Sequence, residues 1–294
     1  MSFTRTNVGL SNLALFYSVD LIVFTEGGEQ SFSFDEVNEG KFNKTSVDIK
    51  FWCNIFSKHN FNKTIEFRAL GSKSSSKAIC ELIVANEISN VVVALDSDLD
   101  GFLNNKFESP YILYTRGYSW ENDVYHPELV REQLDNLILS SELPPQYCEI
   151  IDEAYQSFHN YASRLLKLEL MFRKGGSRLI TDCQGERFID GKAVPKIKME
   201  QVYKLVKERK GFLSRPIVMP EIEEICPIRY CYGKLRESLA IAVIVYIAKK
   251  LNGIKSLPKD LLVATMIERY RNRVYHPEDE YYKVIINNLT SASS

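Results

Sequence analysis

The sequence lacks the short motifs that mark common nucleotide-binding and metal-binding domains. It contains no G-x-x-x-x-G-K-[ST] and no G-x-G-x-x-G, so neither an ATPase P-loop nor a dinucleotide site is indicated. Its six cysteines are scattered; only Cys226 and Cys231 are close together, and no second pair completes a zinc site. The four histidines are equally dispersed, which leaves no Ser-His-Asp or Cys-His set for nucleophilic catalysis.

Targeting signals and long apolar segments are also missing. The N-terminal residues contain no basic region followed by an apolar core, so we expect no secretory signal. The most apolar stretch, Leu239–Ala248, has about half of the ~20 residues that span a bilayer, and we interpret it as a buried helix. Scattered cysteines are typical of buried, reduced thiols. We therefore expect a cytoplasmic protein that makes no membrane contact.

Charge of neither sign dominates. The 37 basic and 38 acidic residues give a formal net charge of −1, so any nucleic-acid contact must come from local basic patches. A hydrophobic fraction of 45% is typical of globular proteins. A chain of 294 residues allows one large domain or two ordinary ones.

Short apolar strands alternate with helices in the first part of the chain. The predicted strands are Leu21–Phe24, Thr64–Phe67, Val91–Leu95 and Tyr111–Tyr114. Helices are predicted over Val47–His59 and after the serine-rich loop that begins at Gly71, whereas residues 29–45 read as an irregular insertion. This alternation predicts an α/β fold with a mainly parallel sheet.

The pattern becomes mostly helical after about residue 123. Helices are predicted near 127–139, 146–174, 198–209, 233–251 and 257–272, with a small hairpin or linker within 176–197. We therefore predict an α/β domain over residues 1–123 and a mostly helical domain over residues 124–294.

Acidic residues follow two of the predicted strands. Glu26 comes after the first strand, and the third is followed by Asp96, Asp98 and Asp100. The carboxyl ends of parallel strands meet at one edge of a sheet, where such folds bind ligands. Clustered carboxylates repel one another unless a hard cation joins them, and oxygen ligands select Mg²⁺ or Mn²⁺. Two such ions can support phosphodiester displacement.

Other interpretations of these acids remain open. Asp-x-Asp-x-Asp-Gly also opens an EF-hand loop, but the twelfth position is Phe107 instead of glutamate and a strand precedes it. A charged surface loop at Asp96–Asp100, and a plain turn at Glu26-Gly27, are the simpler alternatives. Glu121, after the fourth strand, could add a carboxylate to the same edge.

Several residues are candidates for substrate contact, each with a structural alternative. Lys73 could contact a phosphate at a helix start, although a simple helix cap also explains the sequence. Trp120 could stack on a base or pack inside the protein. Two basic patches could bind phosphates or form solvated helix faces. The first patch comprises Lys204, Lys207, Arg209, Lys210 and Arg215, and the second comprises Arg269, Arg271 and Arg273.

Three segments taken together resemble a known nuclease family. They are Val23–Gly27, Val92–Asp100 and Trp120–Asn122. They resemble the Toprim-like domain of the AriB family, nuclease subunits found beside ABC-type ATPases in the PARIS anti-phage systems of bacteria. The resemblance covers about the first 125 residues by motif, and the remainder only by length and helical content.

The resemblance implies roles for individual residues. It makes Glu26 a metal ligand or general base, and Asp96 and Asp98 catalytic metal ligands for Mg²⁺ or Mn²⁺. Asp100 and Glu121 would belong to the same acidic site. Lys73 would contact phosphate, and we add Trp120, Lys207 and Lys210 as expected substrate contacts. Relatives often carry a second acid soon after the glutamate, whereas this chain has Gly27-Gly28-Glu29-Gln30, so Glu29 would have to substitute.

The resemblance also implies a biological setting. Such proteins are toxins that a partner ATPase, AriA, holds inactive. A phage anti-restriction protein triggers release, and the freed nuclease, expected to be a homodimer, cuts host tRNA and arrests translation. Two other functions stay open: a Toprim DNA nuclease, as in overcoming-lysogenization-defect enzymes, and a non-catalytic sensor or scaffold subunit. A topoisomerase or primase is disfavoured because the chain is short and has no zinc ribbon.

Overall fold

The computed structural model of the protein describes residues 7–138, 142–181, 185–191, 193–213, 225–254, 256–273, 276 and 279–293. The chain divides into two compact units. The first contains Met1–Ser97, Asn104–Arg116 and Arg271–Ser294, and the second contains Asp98–Leu103 and Gly117–Tyr270. The predicted domains were continuous, with a boundary at residue 123. The units instead alternate along the chain: the segment Asp98–Leu103 belongs to the second unit, and the C-terminal residues from Arg271 onward belong to the first.

A four-stranded parallel sheet forms the centre of the first unit. Its strands are β1 (Leu21–Thr25), β2 (Ile65–Ala69), β3 (Val91–Leu95) and β4 (Ile112–Tyr114). Their order is β2-β1-β3-β4, and every neighbouring pair is parallel. The predicted α/β fold with a parallel sheet is confirmed. β1 and β3 are buried along their whole length, which explains why both are unbroken apolar runs.

The strand order creates one point at which the direction of winding reverses. The chain passes outward from β1 to β2 and then returns to the other side of β1 to form β3. The crevice outside the carboxyl ends of β1 and β3 is therefore a topological switch point. Open α/β sheets bind their ligands at such points.

Helices of the first unit flank this sheet, and other helices make up most of the second unit. In chain order they are α1 (Asn7–Ser11), α2 (Leu13–Tyr17), α3 (Phe34–Asn38), α4 (Val47–Lys58), α5 (Lys73–Val84), α6 (Glu121–Val124), α7 (Pro127–Leu137), α8 (Pro145–Lys174), α9 (Met199–Arg209), α10 (Pro227–Tyr230), α11 (Gly233–Asn252), α12 (Lys259–Asn272) and α13 (Asp279–Ala292). The five helices predicted beyond residue 123 agree with these bounds to within two residues. For residues 176–197, where a small hairpin or a linker was predicted, the structure has a hairpin of the antiparallel strands β5 (Ile189–Asp190) and β6 (Lys196–Ile197).

The last helix, α13, was not predicted, and it belongs to the first unit. Tyr282, Ile286 and Leu289 are its buried apolar residues, at the i, i+4, i+7 spacing of one helical face. The Tyr282 ring lies 5.9 Å from that of Phe51 and 6.0 Å from that of Trp52, both on α4. The helix therefore completes the aromatic core on one side of the sheet.

Two further expectations can be compared with the structure. No helix in the described ranges is long and apolar enough to cross a membrane. Cys80 and Cys231 are buried, as expected of reduced core thiols, but Cys53 and Cys226 are exposed. Leu239 and the apolar residues after it lie on α11, whose Leu239, Val243 and Ile247 are fully buried.

Candidate metal centre

Glu26 and Asp96 lie at the carboxyl ends of neighbouring strands. In the β1–β3 register, Thr25 pairs with Ala94. Glu26 directly follows Thr25, and Asp96 lies two residues beyond Ala94, so both leave the sheet at the same edge, on the two sides of the switch point. Both side chains are half-buried. Neighbouring strands are about 4.8 Å apart, so the two strands bring both residues to one edge of the sheet.

The backbone just beyond Asp96 is fixed by hydrogen bonds to the end of β4. The Ser97 amide donates to Thr115 Oγ1 (2.9 Å), and the Ser97 hydroxyl donates to the Thr115 carbonyl (2.7 Å). Lys106 Nζ donates to Ser97 Oγ (3.0 Å) and lies 4.6 Å from the Tyr114 ring centroid. An ammonium group is therefore held next to the acidic edge. The sequence analysis missed Lys106, because nothing in the local sequence shows where this loop lysine is directed.

A further carboxylate, Asp48, was also missed. It belongs to the first turn of α4, and its carboxylate lies against Gly27. A Cβ added at Gly27 would be 1.8 Å from Asp48 Oδ2 and 2.5 Å from its Cγ. With glycine at position 27, the Asp48 carboxylate can lie directly against the backbone. Asp48 therefore places a carboxylate beside the residue that follows Glu26.

Asp98 and Asp100 lie in the second unit, in the short segment Asp98–Leu103. Asp98 has a φ of +45°, a left-handed conformation that aspartate tolerates better than most residues. Its amide donates to the Tyr118 carbonyl (2.7 Å). Leu99 is buried in a cluster with Leu166 and Leu170 of α8, which anchors the segment by packing.

A buried ion pair supports this segment. Arg173 Nε donates to Glu169 (2.6 Å), and the other Glu169 oxygen accepts the amides of Leu179 and Ile180 (3.0 Å each). Arg173 Nη2 also reaches the Tyr118 hydroxyl (3.5 Å). Burial, and then the nearby negative charge of Asp98, raise the pKa of Tyr118 well above its usual value. Tyr118 therefore stays a neutral hydroxyl near Asp98 at physiological pH.

Glu121 lies in a different ionic cluster of the second unit. Glu121 is 2% exposed. Its carboxylate accepts a hydrogen bond from the Ser119 hydroxyl, and Lys234 Nζ lies 2.7 Å from Glu121 Oε1. Lys234 also contacts Glu237 (3.0 Å). Burial works against the charge of Lys234, but Glu121 and Glu237 outweigh it and raise its pKa. The carboxylate predicted to bind metal thus already has a protein cation as partner.

The predicted substrate residues have different surroundings. Lys73 is exposed at the first position of α5, where Ser72 caps the helix by accepting the Ser75 amide (3.5 Å). Trp120 is 2% exposed and has Lys234 Nζ 5.2 Å from its ring centroid, so the ring presents no free face to a base. Its surroundings are those of the packing alternative.

The residues of the two basic patches differ in how exposed they are and in which side chains they contact. Lys207 and Lys210 are exposed near the end of α9, whereas Arg215 lies outside the described residues. In the second patch, Arg269 bonds to Gln133 (3.0 Å), and Arg273 pairs with Asp279 (3.0 Å). Among the described residues, both patches therefore contain exposed cations: Lys207 and Lys210 in the first and Arg271 in the second.

Within the part of the chain that the structure describes, no three Asp, Glu, His or Cys side chains stand together in an arrangement that could hold a metal ion. The donors at the sheet edge are nevertheless all carboxylate oxygens, the chemistry that Mg²⁺ and Mn²⁺ select. In comparisons with known proteins, no family model matches the chain and no curated protein shows a significant match.

Proposed function

We propose that the protein is a Toprim-like, metal-dependent endonuclease, with Glu26 and Asp96 at its catalytic centre. One observation carries the proposal: these two acids end neighbouring parallel strands on the two sides of the switch point. Asp98 and Asp100 follow Asp96 in the sequence, and their assignment as further ligands rests on the family resemblance alone. Glu121 is a weaker candidate because Lys234 already neutralises it.

The residues at the edge have separable tasks in phosphodiester hydrolysis. Bound Mg²⁺ or Mn²⁺ would supply charge neutralisation for the phosphate and a more acidic water. Glu26 and Asp96 would hold the metal, and Glu26 can also accept the proton of the attacking water. Asp48, beside Gly27, would support Glu26, and Lys106, bonded to Ser97, would contribute a positive charge for the scissile phosphate.

For the substrate and setting, we propose host tRNA and anti-phage defence. This rests on the resemblance of the sequence to the AriB family. The protein would be held silent by an ABC-type ATPase such as AriA. It would be released when a phage anti-restriction protein is sensed and would act as a homodimer in the cytoplasm. Cleavage of tRNA would then arrest translation.

The direct test supplies purified chain, free of any ATPase, with total tRNA and supercoiled plasmid in Mg²⁺ or Mn²⁺. We expect discrete tRNA fragments, an intact plasmid, and loss of cleavage in EDTA. Nicked plasmid with intact tRNA would establish the DNA nuclease instead. Cleavage of neither substrate, together with no Mn²⁺ binding by calorimetry, would favour the sensor or scaffold and overturn the proposal.

The close contact at Gly27 gives a finer prediction. Gly27→Ala is expected to displace the Asp48 carboxylate, because the new Cβ would lie 1.8 Å from Oδ2. Rotation of the short Asp48 side chain relieves the clash at a cost of about 1 kcal/mol. We expect Mn²⁺ affinity, measured by calorimetry, to fall about 10- to 100-fold, as when a residue supporting a metal ligand is lost.

Gly191→Ala is the matched control, since an added Cβ at Gly191 meets no atom within 4 Å. Asp48→Asn should reproduce the loss of affinity without the added methyl group. Equal Mn²⁺ affinity in Gly27→Ala, Asp48→Asn and Gly191→Ala would remove Asp48 from the centre.

A further inference from the structure

Exposed aromatic rings are concentrated in one short stretch of the second unit. Among the described residues, Phe16, Tyr203 and Phe212 are the aromatic side chains in the exposed class, at 74%, 54% and 65%. Two of these three lie within ten residues of each other, on α9 and the 3₁₀ turn that follows it (Lys210–Phe212). Burying such rings is worth about 1.5–3 kcal/mol each, so two neighbouring exposed rings indicate a contact surface.

Each ring has a guanidinium group beside it. Arg164, on α8, donates from Nη1 to the Tyr203 hydroxyl (3.0 Å). The Arg209 guanidinium carbon lies 4.7 Å from the Phe212 ring centroid. Arg209 is itself held by the Arg178 carbonyl, which accepts from Nε at 3.0 Å. The two rings are therefore held in place and flanked by positive charge.

The same stretch concentrates basic residues in a chain that is slightly acidic overall. Between Tyr203 and Phe212 there are four basic residues (Lys204, Lys207, Arg209 and Lys210) and one acid, Glu208. Glu208 lies 3.9 Å from Lys204, which leaves the other three in excess. Tyr203 and Lys207 lie one turn apart (i, i+4) on the exposed side of α9, away from the buried Val202 and Leu205, and the exposed Lys210 begins the turn that follows.

We propose that this aromatic–basic surface (Arg164, Tyr203, Lys207, Arg209, Lys210 and Phe212) binds unpaired nucleotides of RNA. Bases that are not in a duplex expose their faces, and they stack on aromatic side chains whatever their sequence. The lysines and arginines contact the phosphates. The inference rests on the proposed function for the choice of RNA. It adds that recognition depends on a loop or single strand.

Fluorescence anisotropy of the full chain in EDTA tests this without any cleavage. The probes are a labelled RNA hairpin with an unpaired loop and a fully paired duplex of the same length. We expect the hairpin to bind at least tenfold more tightly. Stacking contributes about 1–3 kcal/mol per base, so Tyr203→Ala and Phe212→Ala should each weaken hairpin binding by about five- to 150-fold. They should change duplex binding little.

The basic residues of the surface are tested by the salt dependence of RNA binding. Lys207→Ala with Lys210→Ala should weaken binding of both probes. For the hairpin with its single-stranded loop, this double substitution should reduce the slope of the logarithm of the binding constant against the logarithm of the salt concentration by about 1.4. Each lost phosphate contact contributes about 0.7 to that slope. The control for the aromatic variants is Phe16→Ala, which removes an exposed ring of the first unit. The control for the lysine variants is Lys249→Ala with Lys250→Ala, an exposed pair on α11.

Three results would overturn the inference. They are equal binding of hairpin and duplex, unchanged hairpin binding in Tyr203→Ala with Phe212→Ala, or displacement of the hairpin by polyglutamate as readily as by unlabelled RNA. The last result would indicate an acidic protein partner. Because binding is measured without metal, failure of the carboxylates to cleave RNA would leave this result intact. Loss of the surface would likewise leave Mn²⁺ binding at the sheet edge intact.

Discussion

Replacing Glu26 with glutamine is expected to lower the rate of tRNA cleavage by about 10²- to 10⁴-fold, the contribution typical of a positioned acid–base group. Glutamine keeps the size of the side chain but removes the negative charge that holds a cation or accepts a proton. The measurement is the initial rate with purified protein in saturating Mg²⁺. Glu81→Gln, an exposed glutamate on α5, is the control and should retain full activity.

Calorimetry with Mn²⁺ separates the two roles proposed for Glu26. If Glu26 is a ligand, the glutamine variant binds Mn²⁺ more weakly, and raising the metal concentration restores part of the rate. If Glu26 acts as the general base, Mn²⁺ affinity is retained and no metal concentration restores the rate. Cleavage within threefold of the unmodified protein would exclude Glu26 from the centre and, with it, the proposed function.

The sheet could be predicted because the local sequence of its central strands indicates buried β-structure. β1 and β3 are short, apolar and uncharged, and residues of that kind are stable only when both faces of a strand are covered. α13 escaped prediction although Tyr282, Ile286 and Leu289 repeat at helical spacing. Its contacts are with α4, more than 200 residues earlier in the chain. That spacing could have indicated the helix, but only the contacts with α4 assign it to the first unit.

The residues of the candidate site also differ in whether the sequence could predict their position. Glu26 and Asp96 could be predicted to share an edge, because a residue that ends a parallel strand goes wherever the strand goes. Asp48 and Lys106 could not, since one comes from a helix and the other from a loop, and only tertiary packing directs them to the edge. Glu121 shows the converse. Its position after β4 fitted the pattern, but Lys234, distant in sequence, occupies its carboxylate.

Asp279→Ala is expected to destabilise the first unit by about 3–5 kcal/mol, the usual cost of removing one member of a buried ion pair. The Asp279 side chain is completely buried and contacts Lys58 Nζ (3.0 Å) and Arg273 Nη2 (3.0 Å), and it also accepts the His276 amide (2.8 Å). Alanine would leave two nearly buried cations without this carboxylate, at the point where α13 begins.

The two tryptophans allow the change to be assigned to one unit. Trp52 lies in the first unit and Trp120 in the second, so urea unfolding followed by Trp52 fluorescence in a Trp120→Phe background reports the first unit. Glu280→Ala, which removes an exposed partner of Lys283, is the control and should change the free energy of unfolding by less than about 0.5 kcal/mol. A similarly small effect of Asp279→Ala would show that the carboxylate does not hold α13.

The effect of Asp279 should also depend on pH in a defined direction. Burial acts to raise its pKa, but the His276 amide, Lys58 and Arg273 outweigh burial, so the folded-state pKa lies below the usual value. A carboxyl group with a depressed pKa contributes its stability above the unfolded-state value, about 3.9, and loses it as the pH falls through the folded-state pKa. The difference in unfolding free energy between the unmodified chain and Asp279→Ala should therefore be constant from pH 7 to about pH 5 and shrink at lower pH. A difference that grew on acidification would mean that the cations, and not the carboxylate, set the stability of this contact.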